Sequence, residues 1–174
     1  IGIFGGSFDP PHAGHLAVSH VALRALGLDQ VWWLVSPKNP LKPTAPSQDL
    51  ARRIDAARRL ADHPRIHVTG IEAALGTQYT VDTIGELILR LNGIDLVWMM
   101  GADSLADFHH WRDWSAIAAS VPIAVFSRPG SALRALASPA AKSLSKARIP
   151  ERAAATLAQT PAPAWVFLSK PHIP

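Results

Sequence analysis

The sequence of 174 residues contains no cysteine, which excludes a disulfide framework and any thiolate nucleophile or metal ligand. No apolar run approaches the roughly 18 residues of a membrane span, so no membrane partner is expected. The opening Ile1-Gly2-Ile3-Phe4 is apolar and β-prone and reads as a strand, so no signal peptide is expected either. Together these absences point to the cytoplasm. Charged residues make up only 17% against 48% hydrophobic, a globular profile that suits one sizeable core and a single domain over residues 1–174. Much of the net charge of +4 sits in Arg52, Arg53, Arg58 and Arg59, interleaved with Asp49, Asp55 and Asp62. Mixed signs on one helix mark a solvated face, and no aromatic residue lies among those arginines to stack a base, so no nucleic-acid partner is expected.

What the sequence does have is concentrated near its start. Gly5-Gly6-Ser7-Phe8-Asp9-Pro10-Pro11-His12-Ala13-Gly14-His15 lies between the first apolar run and a helical pattern of Leu16, Ala17, Val21, Ala25 and Leu26 that ends at Gly27. Gly5 and Gly6 remove side chains from a strand end, where backbone N–H groups could meet a polyphosphate closely. The prolines push the residues before them out of helical geometry, so the helix is expected to begin around His12 to Gly14. Its first N–H groups and positive dipole end favour an anion. His12 and His15 are three apart, share a helix face, and can donate to one phosphate. A His-x-x-His pair can also ligate metal, but zinc-hydrolase helices place a glutamate between two histidines and none is present here; no metal is assigned to them.

Further β-like runs occur at 31–35, 66–69, 96–100, 123–126 and 165–168, with apolar helical stripes over 16–26, 50–60 and 81–91. This alternation predicts right-handed βαβ crossovers and a Rossmann-like, doubly wound α/β fold: a mainly parallel sheet with helices on both faces. Ligands of such sheets sit beyond the strands' carboxyl ends. Residues 131–163, rich in Ala, Ser and Pro, read as a variable connection before the last strand in which Leu133, Leu136 and Leu144 hint at short helices only, with no chemistry assigned.

Three later segments carry polar groups to the same strand ends. Pro37, Pro40, Pro43 and Pro46 stiffen the loop after the second strand and would hold Lys42 over an anion, although such loops are also ordinary surface. In Gln78-Tyr79-Thr80-Val81-Asp82-Thr83, Thr80 reads as a helix N-cap, with Asp82 or Thr83 complementing the positive end. Asp103 follows the fourth strand and suits a ribose hydroxyl or a water on Mg²⁺. Trp111 offers a flat face for an aromatic cation, or simply belongs to the core. His109 and His110 read as loop histidines.

The segment Gly5 to His15 resembles the signature of the His-x-Gly-His nucleotidyltransferases, and especially of the bacterial nicotinate-nucleotide adenylyltransferase family. The Pro-x-x-Pro-x-Lys segment, Tyr79-Thr80-x-Asp82-Thr83, and Gly101-x-Asp103 followed by Trp111 are similar to that family's later motifs. The resemblance implies transfer of AMP from ATP to nicotinate mononucleotide, giving deamido-NAD and pyrophosphate, with Mg²⁺ bound with ATP. It implies His12 and His15 as catalytic residues and Gly5, Gly6, Ser7, Phe8 and Asp103 at ATP. Lys42, Thr80, Asp82 and Trp111 would lie at the mononucleotide. Alternative readings are an acceptor such as nicotinamide mononucleotide or phosphopantetheine, or a non-catalytic nucleotide-binding domain. The family often has histidine where Leu41 stands, so no imidazole role is assigned there. Its Ser-Ser-Thr-x-x-Arg phosphate motif is expected beyond Pro174.

Overall fold

A computed structural model describes residues 1–38, 46, 48–127 and 130–169. Strand β1 (Gly2–Gly6) leads through the glycine turn into helix α1 (Ala13–Ala25). Strand β2 (Val31–Val35), helix α2 (Leu50–Leu60) and strand β3 (Ile66–Thr69) follow. After β3 come the short α3 (Ile71–Leu75) and the longer α4 (Thr80–Arg90), then β4 (Val97–Gly101). Next are α5 (Ala102–Asp107), α6 (Trp114–Ser120) and β5 (Ile123–Phe126). The expected strands and helices are present, displaced by three residues at most.

With β6 (Arg148–Ile149) and β7 (Trp165–Leu168) the strand order is β3-β2-β1-β4-β5-β7-β6, and each pairing is parallel. β1 therefore lies between β2 and β4, where the winding direction reverses. Its pairing with β2 runs to Gly6 opposite Val35, but its pairing with β4 ends at Phe4 opposite Met99. From there β4 continues alongside β5, with Gly101 opposite Phe126. The sheet thus parts between Gly5-Gly6 and Met100-Gly101, leaving a crevice at the carboxyl ends of its central strands.

Both faces of the sheet are covered, as a parallel sheet requires. Phe4, Trp33, Val35, Met99 and Phe126 pack on one side with Val18 of α1 and Ala57 of α2. Ile3, Leu34, Trp98, Met100 and Val125 pack on the other with Leu87 of α4, Leu105 of α5 and Ile117 of α6. Alternate residues along one strand thus feed opposite cores.

One expectation is filled out here and one corrected. Residues 131–163 contain α7 (Ala132–Leu136), α8 (Pro139–Ser143), β6 (Arg148–Ile149) and a nine-residue 3₁₀ stretch, Glu151–Gln159, before β7 (Trp165–Leu168). Each piece is too short to repeat an apolar period, yet Leu157 is fully buried and Ala140 with it. Thr80 is not the N-cap of α4: Tyr79, with extended backbone (φ −109°, ψ 145°), takes that place and Thr80 is the first helical residue. The hydroxyl of buried Thr83 instead lies 2.8 Å from Thr77 Oγ1 and 3.3 Å from the Tyr79 carbonyl.

Candidate active site

The glycine turn is shaped by aromatic packing beneath it. Phe8 adopts a positive φ of 46°, which is uncommon for a bulky residue and places its ring inside the protein with 1% exposure. That ring stacks on Trp33 at 5.1 Å and lies 4.7 Å from the His15 imidazole. The Phe8 side chain therefore supports His15 from beneath the turn. A Cβ at Gly5 would fall 2.7 Å from the ring of Trp98, so the missing side chain lets that indole lie against the turn.

His12 is the N-cap of α1, in extended backbone (φ −145°, ψ 166°), and His15 sits one helical turn on. The His12 backbone N–H donates to Nδ1 of His15 at 3.1 Å, closing an otherwise open donor at the helix start. An accepting Nδ1 puts the proton of a neutral His15 on Nε2. The two rings lie 3.9 Å apart. The His15 carbonyl accepts from Ser19 Oγ at 2.9 Å, and Ser19 Oγ accepts from Trp33 Nε1 at 2.7 Å, so this turn of helix is tied to β2.

The crevice opens into a cavity of about 720 Å³, within the range of nucleotide and drug-sized sites. One side is the turn: Gly5, Gly6, Ser7, Phe8, Asp9, His12 and His15. The end of β2 adds Ser36 and Lys38, and the start of α4 adds Gln78, Tyr79 and Thr80. The far side carries Asp103, His110, Trp111 and Arg112. The structure thus brings Gly5, Gly6, Ser7, Phe8, His12, His15, Thr80, Asp103 and Trp111 to one cavity from the ends of three strands, β1, β3 and β4. Asp82 is exposed and does not line it, and Lys42 lies outside the described residues.

Trp111 is half-buried, held edge-on by Trp98 at 6.3 Å and Phe108 at 5.3 Å. Both contacts are near-perpendicular, an arrangement that fixes an indole by its edges. Beside it, the Arg112 guanidinium lies over the Tyr79 ring at 4.6 Å and joins α4's entry to the Trp111 segment.

Several residues at or near the cavity carry no local pattern that marks them. Glu72, on α3, is 7% exposed and lines the cavity. Its Oε1 accepts from Thr83 Oγ1 at 3.3 Å. Burial raises its pKa above 4.5, opposed by hydrogen bonds from Ser36 and Thr83. Arg53 was read as part of a solvated helix face but is 1% exposed, and it donates to four backbone carbonyls. Both owe their burial to contacts with distant segments. His110, read as a loop histidine, stays exposed yet borders the cavity. Lys38, Gln78 and Tyr79 stand within the segments quoted for Lys42 and Thr80, so their signal was adjacency.

A parallel sheet opening at its switch point, with paired histidines on a glycine turn, defines a nucleotidyltransferase-type site. Residues 3–169 match the family described as cytidylyltransferase-like, to which the chain belongs. A relative from Cereibacter sphaeroides, named "probable nicotinate-nucleotide adenylyltransferase", is 54% identical over 98% of this chain and 90% of its own length. One of the same name from a Bradyrhizobium species is 52% identical over 97% of this chain and 88% of its own. Within the broader family, the chain stands among the nicotinate-nucleotide adenylyltransferases. The fold is that of Plasmodium falciparum nicotinic acid mononucleotide adenylyltransferase complexed with NaAD, with TM-score 0.70 and 14% identity, covering 98% of this chain and 74% of that one. Among the described residues no helix is long and apolar enough to cross a membrane.

Proposed function

We propose that this cavity transfers AMP from ATP to nicotinate mononucleotide, releasing pyrophosphate and forming deamido-NAD. The observation that carries the reading is that one cavity joins the His12–His15 turn to the face of Trp111. A phosphate chain and a pyridinium ring can therefore occupy it together. ATP would lie on the Gly5-Gly6-Ser7 backbone, with Asp103 at its ribose. The mononucleotide ring would stack on Trp111 with Thr80 beside it, its phosphate toward the loop after β2 that carries Lys38 and Lys42. Asp82 is left without a direct role, because it faces solvent.

The mononucleotide phosphate oxygen attacks the α-phosphorus in line, the bond to the pyrophosphate oxygen breaks, and no covalent enzyme intermediate forms. Positioning and charge stabilisation then supply the rate. The Nε2–H of His15 and the imidazole of His12 donate to phosphate oxygens as negative charge develops. Asp9 and Asp103 line the cavity with hard oxygen donors, and a Mg²⁺ carried by the triphosphate needs only one or two carboxylates from the protein. When bound, Mg²⁺ would neutralise phosphate charge. Cytoplasm remains the proposed location, supported by the absence of cysteine.

Pyrophosphate release measured with ATP and each acceptor in turn tests the reading. Turnover is expected with nicotinate mononucleotide, well above nicotinamide mononucleotide or phosphopantetheine. A faster reaction with either alternative, or ATP binding without pyrophosphate release, would overturn it.

A further inference from the structure

Arg53 is a fully enclosed charge for which the transfer reaction gives no direct use. It stands on α2, 46 residues from Ser7. Its Nη1 donates to the Ser7 carbonyl at 2.6 Å and to the Ser36 carbonyl at 2.8 Å. Its Nη2 donates to the Pro37 carbonyl and its Nε to the Gln48 carbonyl, both at 3.1 Å. Ser7 belongs to the turn after β1, while Ser36 and Pro37 end β2 and lead directly into Lys38. One guanidinium thus spans the bases of two walls of the cavity.

We propose that Arg53 is a positioning residue for adenylyl transfer, setting the separation between the turn that holds the attacked phosphate and the β2 end beside the attacking one. The inference rests on the functional reading above. Its physical basis is the planar fork of donors, whose spacing is rigid and which grips carbonyls of separate segments at once. Lysine offers a point charge on a flexible stem and cannot hold several carbonyls at fixed relative positions. In-line attack requires reacting atoms about 3–3.5 Å apart, and a shift of about 1 Å costs on the order of a hundredfold in rate.

The test uses the full chain with Arg53→Lys, Arg53→Met and Arg53→Ala, and normalises pyrophosphate release to folded protein by circular dichroism and ATP-binding stoichiometry. Turnover per folded molecule is expected to fall at least about tenfold, with KM for ATP and nicotinate mononucleotide changed less than about threefold. Added guanidinium should recover part of the turnover of Arg53→Ala. Folded Arg53→Lys turning over within about twofold of wild type overturns the inference alone. So does activity that is lost only in proportion to folded protein, because Arg53 then holds the fold and nothing more. A wild-type chain that releases no pyrophosphate overturns the functional reading and the inference with it.

Discussion

His12 occupies the space that a side chain on Gly14 would need: a Cβ there would lie 2.9 Å from Nδ1 of the imidazole. The glycine between the two histidines is therefore not required by its backbone conformation. It lets the N-cap ring fold over the first turn of α1 and come within 3.9 Å of His15. Gly14→Ala is expected to leave the helix intact, since alanine is the better helix former by about 1 kcal/mol. It should displace His12 and lower kcat at least about tenfold. Thermal unfolding alongside pyrophosphate release checks this, and an unchanged kcat would separate His12 from the chemistry.

His15 is held by its backbone and by its Nδ1, so removing the ring takes away a donor already in place. His15→Ala should cut turnover on the order of a hundredfold or more, by analogy with loss of a single preorganised donor. The readout is kcat with saturating ATP and nicotinate mononucleotide; near-normal turnover would sink the catalytic assignment.

Trp111 serves packing and the cavity at once, and the two can be separated. Trp111→Ala should raise KM for nicotinate mononucleotide by about tenfold while leaving ATP affinity within about threefold, within the range expected for loss of a stacked cation worth roughly 0.5–2 kcal/mol. It should also cost about 1–3 kcal/mol of stability, because the indole is half-buried against Trp98 and Phe108. Equal changes for both substrates would mean that Trp111 is core.

Glu72 ties stability to pH. Its pKa is raised by burial above 4.5, so between these two values the folded chain holds a proton that the unfolded chain has released. Stability therefore falls as pH rises from the unfolded pKa through the folded one, and is flat above it. Glu72→Gln cannot ionise and keeps an acceptor for Thr83 and Ser36. The variant should gain stability relative to wild type as pH increases from 4 to 7, in paired urea titrations at the two pH values. A constant difference would show that Glu72 titrates normally.

Much of the molecule was legible before any coordinates. The strands and long helices follow from apolar periodicity, and helix α1 begins at Ala13 because Pro10 and Pro11 bar an earlier start. Between 132 and 159 Leu133, Leu136 and Leu144 hint at short helices, but the bounds of these pieces are not legible, since five residues of helix make barely more than one turn of pattern. Residue preference alone favours Thr80 as a cap, but Tyr79 takes that place with no side-chain cap bond, and the Thr83 hydroxyl turns inward toward Thr77 and Glu72.

By itself the sequence determined the order of strands and helices and the chemistry of the segment from Gly5 to His15, because both rest on neighbours along the chain: side-chain period, proline geometry, glycine and helix ends. Only the tertiary structure decided where β1 parts from β4, and which charges are buried. The crevice exists because β1 stops pairing with β4 after Phe4. Arg53 is buried because carbonyls from two distant segments, Ser7 and Ser36-Pro37, converge with that of nearby Gln48 on one guanidinium. Contacts of Arg53 with Ser7, Ser36 and Pro37 span 16 to 46 positions, and no local pattern records them.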